Sequence, residues 1–586
     1  MRSTFSGLNT ATRGLYAQQV ALDTTGHNIS NANTEGYSRQ RVNTSTTRPE
    51  TIYGGVGAMQ VGTGVSVDTI TRTRNAFLDQ QMWKESSTLG YGTASETTWG
   101  KVEGIFKDEP PDLGVQTVLN NFWNSWQTLS AYSSNASART AVRERGAELA
   151  DTVKHACQQL QNLVRDTNEN LVAKVADIND MSGQIFSLNR QISNIEVGDR
   201  DHANDLRDKR DLLIDKLSRL GNVRVYENSN HNYIVQLGNV TIVDANRVTK
   251  LGAASSSDAD YGYEIKDVTV DGSVPLQKVE FASGEMHAMQ EANSTLAKGY
   301  MDKLATISRF LLQEFNGVHR AGYGSDNSTN YNFFGDAGVD YAAAPLVKNG
   351  DWINALKVNS ELYNADGLNK VAAKTGAVGS VVQTSVTGGK GIVTGTYTPS
   401  AGNADKYMNF QVAVTADGIQ YTIRDANSNV LETNAVSNSG TGSYTLPYGL
   451  NFSIASPGAT VGDSYSFSVP QGNASGDNAV RLANVLKEPT DPAGSVLKGA
   501  ALDDYYASMI ADLGIQSQSR KRVADNQKAL VTQIEGWRQS NSGVNIDEEM
   551  SDMIRFQKGY NAAARVVTSM DEMLDKLING TGTVGR

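Results

Sequence analysis

Proline placement marks three blocks of this chain in which long helices are possible without interruption. The eleven prolines all lie within residues 49–111 and 275–492. A proline inside a helix removes a backbone hydrogen bond and costs about 3 kcal/mol or more. Long helices are therefore permitted in 1–48, 112–274 and 493–586, which include both ends of the chain.

The interior block carries apolar residues at alternating spacings of three and four positions. This spacing continues from Ala150 to Ile195, with Thr167 and Lys174 as its only polar members. Because such positions fall on one helix face, the pattern predicts a long helix with the seam of a coiled coil. After a break at 198–204, a second helix is marked by Leu206, Leu213, Leu217 and Leu220. A weaker third stripe consists of Met509, Leu513, Val523, Leu530, Ile534 and Trp537.

Near the C-terminus the same spacing is strictest. The stripe consists of Met553, Phe556, Tyr560, Ala563, Val567, Met570, Leu574 and Leu577. Asn545 precedes the stripe as an N-cap, with Glu548 three residues later, which is the pattern of a capping box. Asp547 and Glu549 join Glu548 in the first turn, where carboxylates suit the positive end of the helix dipole. We predict a helix from Asn545 to Asn579 that is about 50 Å long.

The N-terminal block contains a fainter version of this stripe. Its apolar residues at heptad spacing are Phe5, Leu8, Leu15, Leu22 and Ile29. Neither terminal helix has globular sequence around it, and isolated amphipathic helices are marginal in water. We therefore expect the two apolar stripes to form an assembly interface, with each other and with further copies of the chain. An intramolecular bundle core is the plainer alternative.

Residues 360–475 show the alternation of β-strands. The pair Asp417-Gly418 predicts a hairpin with a type I′ turn. The alternating apolar residues around that pair are Phe410, Val412, Val414, Ile419, Tyr421 and Ile423. Shorter β-type runs occur near 222–283.

Together these patterns predict a multidomain α+β protein. Its parts are a terminal axial α-helical coiled coil, a long-helix bundle domain and an inserted all-β domain. The expected boundaries are 1–36 with 545–586 for the coiled coil, 37–359 with 476–544 for the helical domain, and 360–475 for the insertion.

Composition disfavours several functional classes. A net charge of −11 argues against a nucleic-acid partner. No apolar run approaches the roughly 20 residues of a membrane span, so membrane insertion is not expected. Residues 1–25 lack the continuous apolar core of a secretory signal, so no cleavable signal peptide is expected. A single cysteine, Cys157, excludes a disulfide within the chain.

No residue pattern points to catalysis. The glycine-rich stretch 54–65 lacks the lysine of a phosphate-binding loop, and 324–336 lacks the distal glutamate of a calcium loop. Cys157 lies two positions from His155, and side chains at that spacing on a helix point apart. The histidines show no metal-ligand spacing: His27, His155, His202, His231, His287 and His319. We expect no enzyme activity, no cofactor and no metal site.

Two stretches at opposite ends of the chain resemble the signatures of the flagellar axial proteins, the family of rod, hook and hook-associated proteins. They are "NISNANTEGYSRQ" at 28–40 and "GVNIDEEMSDMIRFQKGYNAAARVVTSMDEMLDKL" at 543–577. Glu35 departs from the family pattern, because many relatives have proline there. The similarity to a hook-associated member rests on "SGLNTA", "NDLRDKRDLLIDKLS", "FLLQEFNGVHRAGYG" and "NFFGD".

This resemblance implies a structural role in a self-assembling layer at the junction of hook and filament. The implied partners are further copies of the chain, the hook protein, hook-associated protein 3 and a cytosolic export chaperone on the C-terminal helix. The implied location is extracellular, on the bacterial flagellum, after export by the flagellar type III apparatus. In the family the terminal helices pair as an axial core and are poorly ordered before assembly.

The polar stretch 28–40 is interpreted as the end of the N-terminal helix and a hinge toward the next domain. Its asparagines can satisfy backbone groups freed at the helix end, and its glycine permits a turn with positive φ. Contact of the asparagines with a neighbouring subunit is an equal alternative. The hinge residues are Asn28, Asn31, Asn33, Gly36 and Tyr37.

Two alternative functions stay open from sequence alone. A hook or filament protein would share both terminal signatures, although the "NDLRDKRD" block and the long interior helix favour the junction protein. A secreted adhesin or glycan-active protein would act through 360–475, which lacks a recognisable pair of catalytic carboxylates.

Overall fold

The computed structural model describes residues 5–54, 57–107, 114–198, 201–376, 382–387, 393–397, 408–424, 429–437, 442–454, 460–469, 475–489 and 495–579. The helices are α1 (Ser6–Ser30), α2 (Ala76–Phe106), α3 (Val115–Ala131), α4 (Ala136–Ile195), α5 (Asn204–Leu220), α6 (Glu285–Glu291), α7 (Ala297–Phe310), α8 (Asn316–Ala321), α9 (Asn349–Ala355), α10 (Asp477–Lys487), α11 (Leu502–Ser542) and α12 (Ile546–Asn579). Two π-helical turns, Ala292–Leu296 and Leu311–Phe315, connect α6 to α7 and α7 to α8.

Short strands lie between these helices. They are β1 (Gln40–Thr46), β2 (Glu50–Gly54), β3 (Gly57–Val61), β4 (Val65–Arg72), β5 (Val223–Glu227), β6 (Tyr233–Leu237), β7 (Val240–Val243), β8 (Leu251–Ser257), β9 (Glu264–Val270), β10 (Val382–Thr387), β11 (Val393–Tyr397), β12 (Met408–Thr415), β13 (Gly418–Arg424), β14 (Val430–Ser437), β15 (Gly442–Thr445), β16 (Leu450–Ile454) and β17 (Ser464–Val469).

The interior stripe forms α4, a helix of 60 residues, as its spacing predicts. Asn135 caps its start, because the backbone N–H of Ser137 donates to the Asn135 side chain. The stripe faces inward: Leu160, Ile178 and Ile185 are fully buried. The seam is covered by several elements of the same chain rather than by one partner helix: α3, α5, α7 and the strands β8 and β9.

An aromatic cluster fills the centre of the helical core. Phe333 and Phe334 pack edge to face with ring centroids 4.8 Å apart, and both rings contact Phe122 and Phe315. Burial of each such ring contributes about 1.5–3 kcal/mol. Gly146 on α4 leaves room for the Phe333 ring, since a Cβ there would lie 2.5 Å from it.

Three asparagines on α4 bind the middle strands to the helix. Asn189 donates to the carbonyl oxygen of Tyr233 on β6 and accepts from its N–H. Asn179 makes the same pair of bonds with Leu251 on β8. Asn168 bridges Glu264 and Lys266 on β9. Each amide satisfies strand groups that no neighbouring strand reaches, so α4 serves as the scaffold for both small sheets.

The insertion folds as two antiparallel sheets around their own core. One sheet has the order β10-β17-β12-β13-β14 and the other the order β11-β16-β15. Phe410 and Phe467 from the first sheet share a core with Phe452 from the second. The β12–β13 hairpin is confirmed, but its type I′ turn is wrong. Residues 416–417 form the turn with negative φ, and the positive φ of 142° falls on Gly418.

Residues just before the insertion pack in the helical core. Leu362, Val371 and Ala373 are buried there, and His319 accepts a hydrogen bond from the N–H of Ala372. The boundary predicted at residue 360 therefore falls inside the packed helical part, and the first described strand of the insertion begins at Val382.

The first and last helices of the described chain, α1 and α12, lie together. Helix α11 runs along α2 and leads into α12, which packs against α1. Strands β1 and β4 pair beside α1, and β2 and β3 extend that ribbon. Among the described residues, no helix combines the length and apolarity that crossing a bilayer requires.

Candidate functional site

Helices α1 and α12 form an antiparallel pair. The first turns of α1 meet the last turns of α12, since a Cβ on Gly7 would lie 2.8 Å from the Met570 side chain. Near the middle, a Cβ on Gly559 would lie equally close to the Gln18 side chain. At the far end, Asn28 of α1 donates to Glu549 of α12. Gly7 and Gly559 thus each leave room for a side chain of the facing helix, so the two helices can approach closely at both points.

The predicted interface residues of α1 lie at the edge of this pair. Leu8, Leu15, Leu22 and Ile29 are half-buried, and Phe5 is 49% exposed. The fully buried line consists of small or polar residues instead: Ala11, Ala17, Ala21, Thr24, Thr25 and Asn28. The reason is that α1 lies between α12 and the β1–β4 ribbon, so the face between those two neighbours is the buried one.

The predicted interface residues of α12 are likewise half-buried. They are Met553, Phe556, Tyr560, Val567, Met570 and Leu574. The side chain of Leu577 lies outside what the structure describes. Further large apolar residues of α12, which the heptad spacing did not select, are about half exposed: Ile546, Met550, Ile554, Val566, Met573 and Ile578. The pair therefore presents apolar surface along both helices.

Asn28 is the central residue of the hinge. Its side-chain amide donates to the Gln40 carbonyl oxygen at 2.9 Å and to Glu549 Oε2 at 3.0 Å. Its Oδ1 accepts from the Tyr37 hydroxyl at 2.7 Å and from the Gln40 N–H at 3.0 Å. Because every hydrogen-bonding site of this buried amide is used, Asn28 fixes α1, β1 and α12 relative to one another.

The other hinge residues complete the turn between α1 and β1. The amide of Asn31 donates to the His27 carbonyl oxygen, as expected for a helix end. Gly36 has a φ of +80°, so the predicted positive-φ turn is confirmed. Asn33 is exposed. Burial of the Tyr37 hydroxyl, together with Asp205, Asp208 and Glu549 nearby, raises the pKa of Tyr37 well above its usual value.

Arg39 ties the hinge to the start of α12. Its guanidinium donates to Glu549 Oε1 at 2.6 Å and to Glu548 Oε2 at 2.9 Å. Asn545 caps α12, as predicted, by accepting from the N–H groups of Asp547 and Glu548. The acidic first turn therefore has a second purpose beyond the helix dipole, because Glu548 and Glu549 also hold Arg39.

A buried arginine–aspartate cluster lies directly beneath the hinge. Arg72 donates to Asp208 at 2.7 Å and to Asp211 at 2.8 Å, and Asp208 also accepts from the Ser38 N–H. Arg74 makes two hydrogen bonds to Asp79 at the start of α2. The cluster thereby joins β4, α2 and α5 under the loop that leaves α1.

Burial and pairing act against each other in this cluster. Burial opposes ionisation of Asp211, but Arg74, Arg72 and Arg210 outweigh it and hold the pKa of Asp211 below its usual range. For Asp215 one turn later, burial prevails and raises the pKa, although Arg538 and Arg74 offset part of the effect. Burying these charges costs free energy, and the ion pairs of Asp211 with Arg72 and Arg74 offset that cost.

Asp215 extends the cluster to a third helix. It accepts from the Trp83 indole N–H at 2.7 Å and from Arg538 at 2.8 Å. Arg538 belongs to α11, four residues before Ser542, whose carbonyl oxygen accepts from the Arg39 N–H. One polar network therefore connects the hinge, α2, α5 and α11 at the base of the terminal helix pair.

Sequence reasoning missed this cluster, although part of its signal was readable. Asp208, Asp211 and Asp215 recur at spacings of three and four along α5, which places the carboxylates on one helix face. Arg72 ends β4, Arg74 follows it and Arg538 lies on α11, all far from α5 in sequence, and no local pattern marks them. Among the described residues, no group of three possible ligands could hold a metal ion.

Comparison with known proteins identifies relatives along the whole chain. The family described as "Flagellar hook-associated protein FlgK helical domain" matches residues 99–334. The family "Flagella basal body rod protein" matches 8–37, and "Flagellar basal body rod FlgEFG protein C-terminal" matches 538–580. Both terminal stretches and the helical middle thus fall within flagellar families.

Individual relatives agree with these families. The flagellar hook-associated protein 1 of Bacillus subtilis is 31% identical over 100% of both chains. The protein of the same name from Escherichia coli is 27% identical, over 98% of this chain and 99% of its own. The solved structure of the flagellar hook junction protein FlgK from Burkholderia pseudomallei has a TM-score of 0.54 at 18% identity, covering 79% of this chain and 100% of that chain.

Proposed function

The chain belongs to the flagellar hook-associated protein 1 family, and from this premise we propose how its terminal helices perform the junction role. It is a structural junction protein of the bacterial flagellum, and it assembles with other flagellar axial proteins. We propose that copies of the chain form a layer that joins the hook to the filament, with the hook protein on one side and hook-associated protein 3 on the other.

The observation that carries this proposal is the half-buried state of both terminal stripes. Helix α12 packs against α1, yet its stripe residues Phe556, Val567 and Leu574 stay half-buried, as do Leu8 and Leu15 of α1. Neighbouring copies that bury this apolar surface would stabilise the assembly by about 25 cal/mol for each Å² removed from water. The terminal helices are accordingly proposed to be the interface through which the layer assembles.

The same surface supports the proposed export route. An apolar helix exposed in the cytoplasm is an aggregation hazard. A cytosolic chaperone that covers α12 until export through the flagellar type III apparatus would remove that hazard. The proposed destination is extracellular, at the junction of hook and filament. We propose no enzymatic activity, no nucleic-acid partner and no cofactor, in keeping with relatives that are structural flagellar proteins.

The experiment compares two neighbouring residues of α12. A strain that lacks the gene is complemented with Val567→Asp or with Thr568→Asp, since Val567 is half-buried and Thr568 is exposed. Electron microscopy and immunoblots of the medium then report filament formation and export. We expect exported Val567→Asp protein with bare hooks and flagellin lost to the medium, but normal filaments with Thr568→Asp. Normal filaments with both variants would refute the role of this stripe in assembly.

The alternatives raised by the sequence gain no support from the structure. A hook or filament protein is disfavoured by the full-length match to hook-associated proteins, because a hook protein of Treponema pallidum matches only 33% of this chain. No described feature of the β insertion favours an adhesin or a glycan-active protein.

A further inference from the structure

Among the described strands, β5 is an edge strand, because no strand pairs with its outer side. It bonds only to β6 in the sheet β5-β6-β7. The N–H of Gly238 donates to Asn222, and the N–H of Asn228 donates to Asn232. In an antiparallel ladder the hydrogen-bonded pairs alternate, so the backbone groups of Val223, Val225 and Glu227 point away from β6. Among the described residues, none forms a backbone hydrogen bond with these outward groups.

A groove of about 500 Å³ runs between this edge and helix α2. Five consecutive residues, 222–226, line one wall, and residues of α2 at spacings of three and four, including Trp83 and Ser87, line the other. Five strand residues extend about 17 Å. The groove therefore offers open backbone groups over the length of one short strand, which is the chemistry that accepts an added strand.

The charged residues that line the groove are basic, and the nearby Glu227 at the end of β5 is paired with Arg207. The described lining of the groove includes Lys84 on α2 and Arg224 on β5, both exposed, and contains no acidic residue. Tyr226 adds a side chain that is 54% exposed beside the strand. A segment with carboxylates would therefore be favoured over a basic one, because complementary charge at a rim selects partners and speeds association.

We propose that the groove between α2 and β5 binds an extended, acidic segment of another polypeptide as an additional β-strand. The main chain of the segment would bond to the outward groups of Val223, Val225 and Glu227, and its carboxylates would lie near Lys84 and Arg224. Edge strands left open are otherwise liable to indiscriminate pairing, and α2 limits access here to a single strand. This surface lies on the helical domain and does not depend on the proposed assembly through α1 and α12.

The test uses the full-length protein and a blocked, fluorescent hexapeptide that alternates valine and glutamate. Anisotropy measures binding, and hydrogen–deuterium exchange measures protection of residues 222–228. We expect saturable binding with slower exchange at this edge. Val225→Pro removes one outward N–H and leaves the ladder to β6 intact, since proline is tolerated at an outward edge position. We expect this variant to bind at least about tenfold more weakly.

Matched probes and variants make the result decisive. On the wild-type protein, a hexapeptide with N-methylated alternate residues should bind at least about tenfold more weakly, which tests strand addition independently of any folding defect in Val225→Pro. The double variant Lys84→Glu with Arg224→Glu should prefer a lysine-containing hexapeptide, whereas Arg190→Glu, outside the groove, should leave the preference unchanged. Equal binding of the N-methylated probe, equal binding of the lysine probe to wild type, or no binding at all would each overturn the proposal.

Discussion

Helices α4 and α12 share one sequence pattern and differ in what surrounds them. Both carry apolar residues at alternating spacings of three and four. In α4 the stripe residues Leu160, Leu171 and Ile185 are fully buried, because several elements of the same chain surround the helix. In α12 the stripe residues from Met553 to Leu574 are only half-buried, because α1 is the main neighbour. The spacing identifies a face that needs a partner, and it does not say whether the same chain supplies it.

The helix pair of α1 and α12 also differs from the helical domain in the side chains that form its buried face. The contact line of α1 consists of alanine, threonine and asparagine side chains, which bury little apolar area each. Polar bonds at its base compensate, through Asn28, Arg39 and the arginine–aspartate cluster. The helical domain is held by its apolar core, whereas the terminal helices are oriented chiefly by hydrogen bonds and ion pairs at one end.

The largest expected effect comes from breaking the cluster that joins the two regions. Asp211→Asn leaves the buried Arg72 and Arg74 incompletely paired, and we expect it to lower the free energy of unfolding by about 3–5 kcal/mol. Urea denaturation followed by tryptophan fluorescence measures the change. The matched control is Asp205→Asn in the same motif, whose side chain is 57% exposed and which should cost less than about 1 kcal/mol. Similar losses in the free energy of unfolding for both variants would show that the cluster does not contribute this stability.

A second pair of variants compares the two stripes directly. Leu171→Ala empties a fully buried position of α4 and should cost about 2–5 kcal/mol in the monomer. Leu574→Ala removes a half-buried side chain of α12 and should cost less than about 1 kcal/mol in the monomer, while filament formation is impaired. Denaturation of the purified proteins and motility of complemented cells measure the two effects. If Leu574→Ala destabilises the monomer as much as Leu171→Ala, the open stripe of α12 is instead part of a closed core.

The third and smallest effect is the loss of folding stability at acidic pH. Burial, with Arg139 nearby, lowers the pKa of His319 from its usual 6.5 to about 4, although the bond to Tyr331 opposes this. The unfolded chain then binds more protons than the folded chain between these values. Stability is therefore complete above pH 6.5 and falls as the pH drops toward 4, by about 3 kcal/mol at most.

Denaturation midpoints between pH 7 and pH 5 measure this loss. His319→Gln should be less stable at pH 7 and should show a flatter dependence on pH. A wild-type protein whose stability is constant from pH 6.5 to pH 5 would contradict the assignment.

Several parts of the fold could be predicted because their signals are local. Helix α12 begins at Ile546 after the predicted cap Asn545, and Gly36 has the predicted positive φ. The prediction of a type I′ turn at Asp417-Gly418 was wrong, because a dipeptide signal does not fix which residues occupy the central positions of a two-residue loop. The asparagines of α4 gave no signal, since their partners on β6, β8 and β9 lie 44 to 98 residues away.

The sequence by itself determined the helices α4, α5 and α12 and which of their faces are apolar, because both depend on neighbours within two turns. It also carried the family signatures at both ends. Only the tertiary structure decided that α4 is enclosed and α12 is open, that Arg72 and Arg74 meet the aspartates of α5, and that β5 has a free edge beside α2. These features depend on elements distant in sequence that come together only on folding, so no local pattern encodes them.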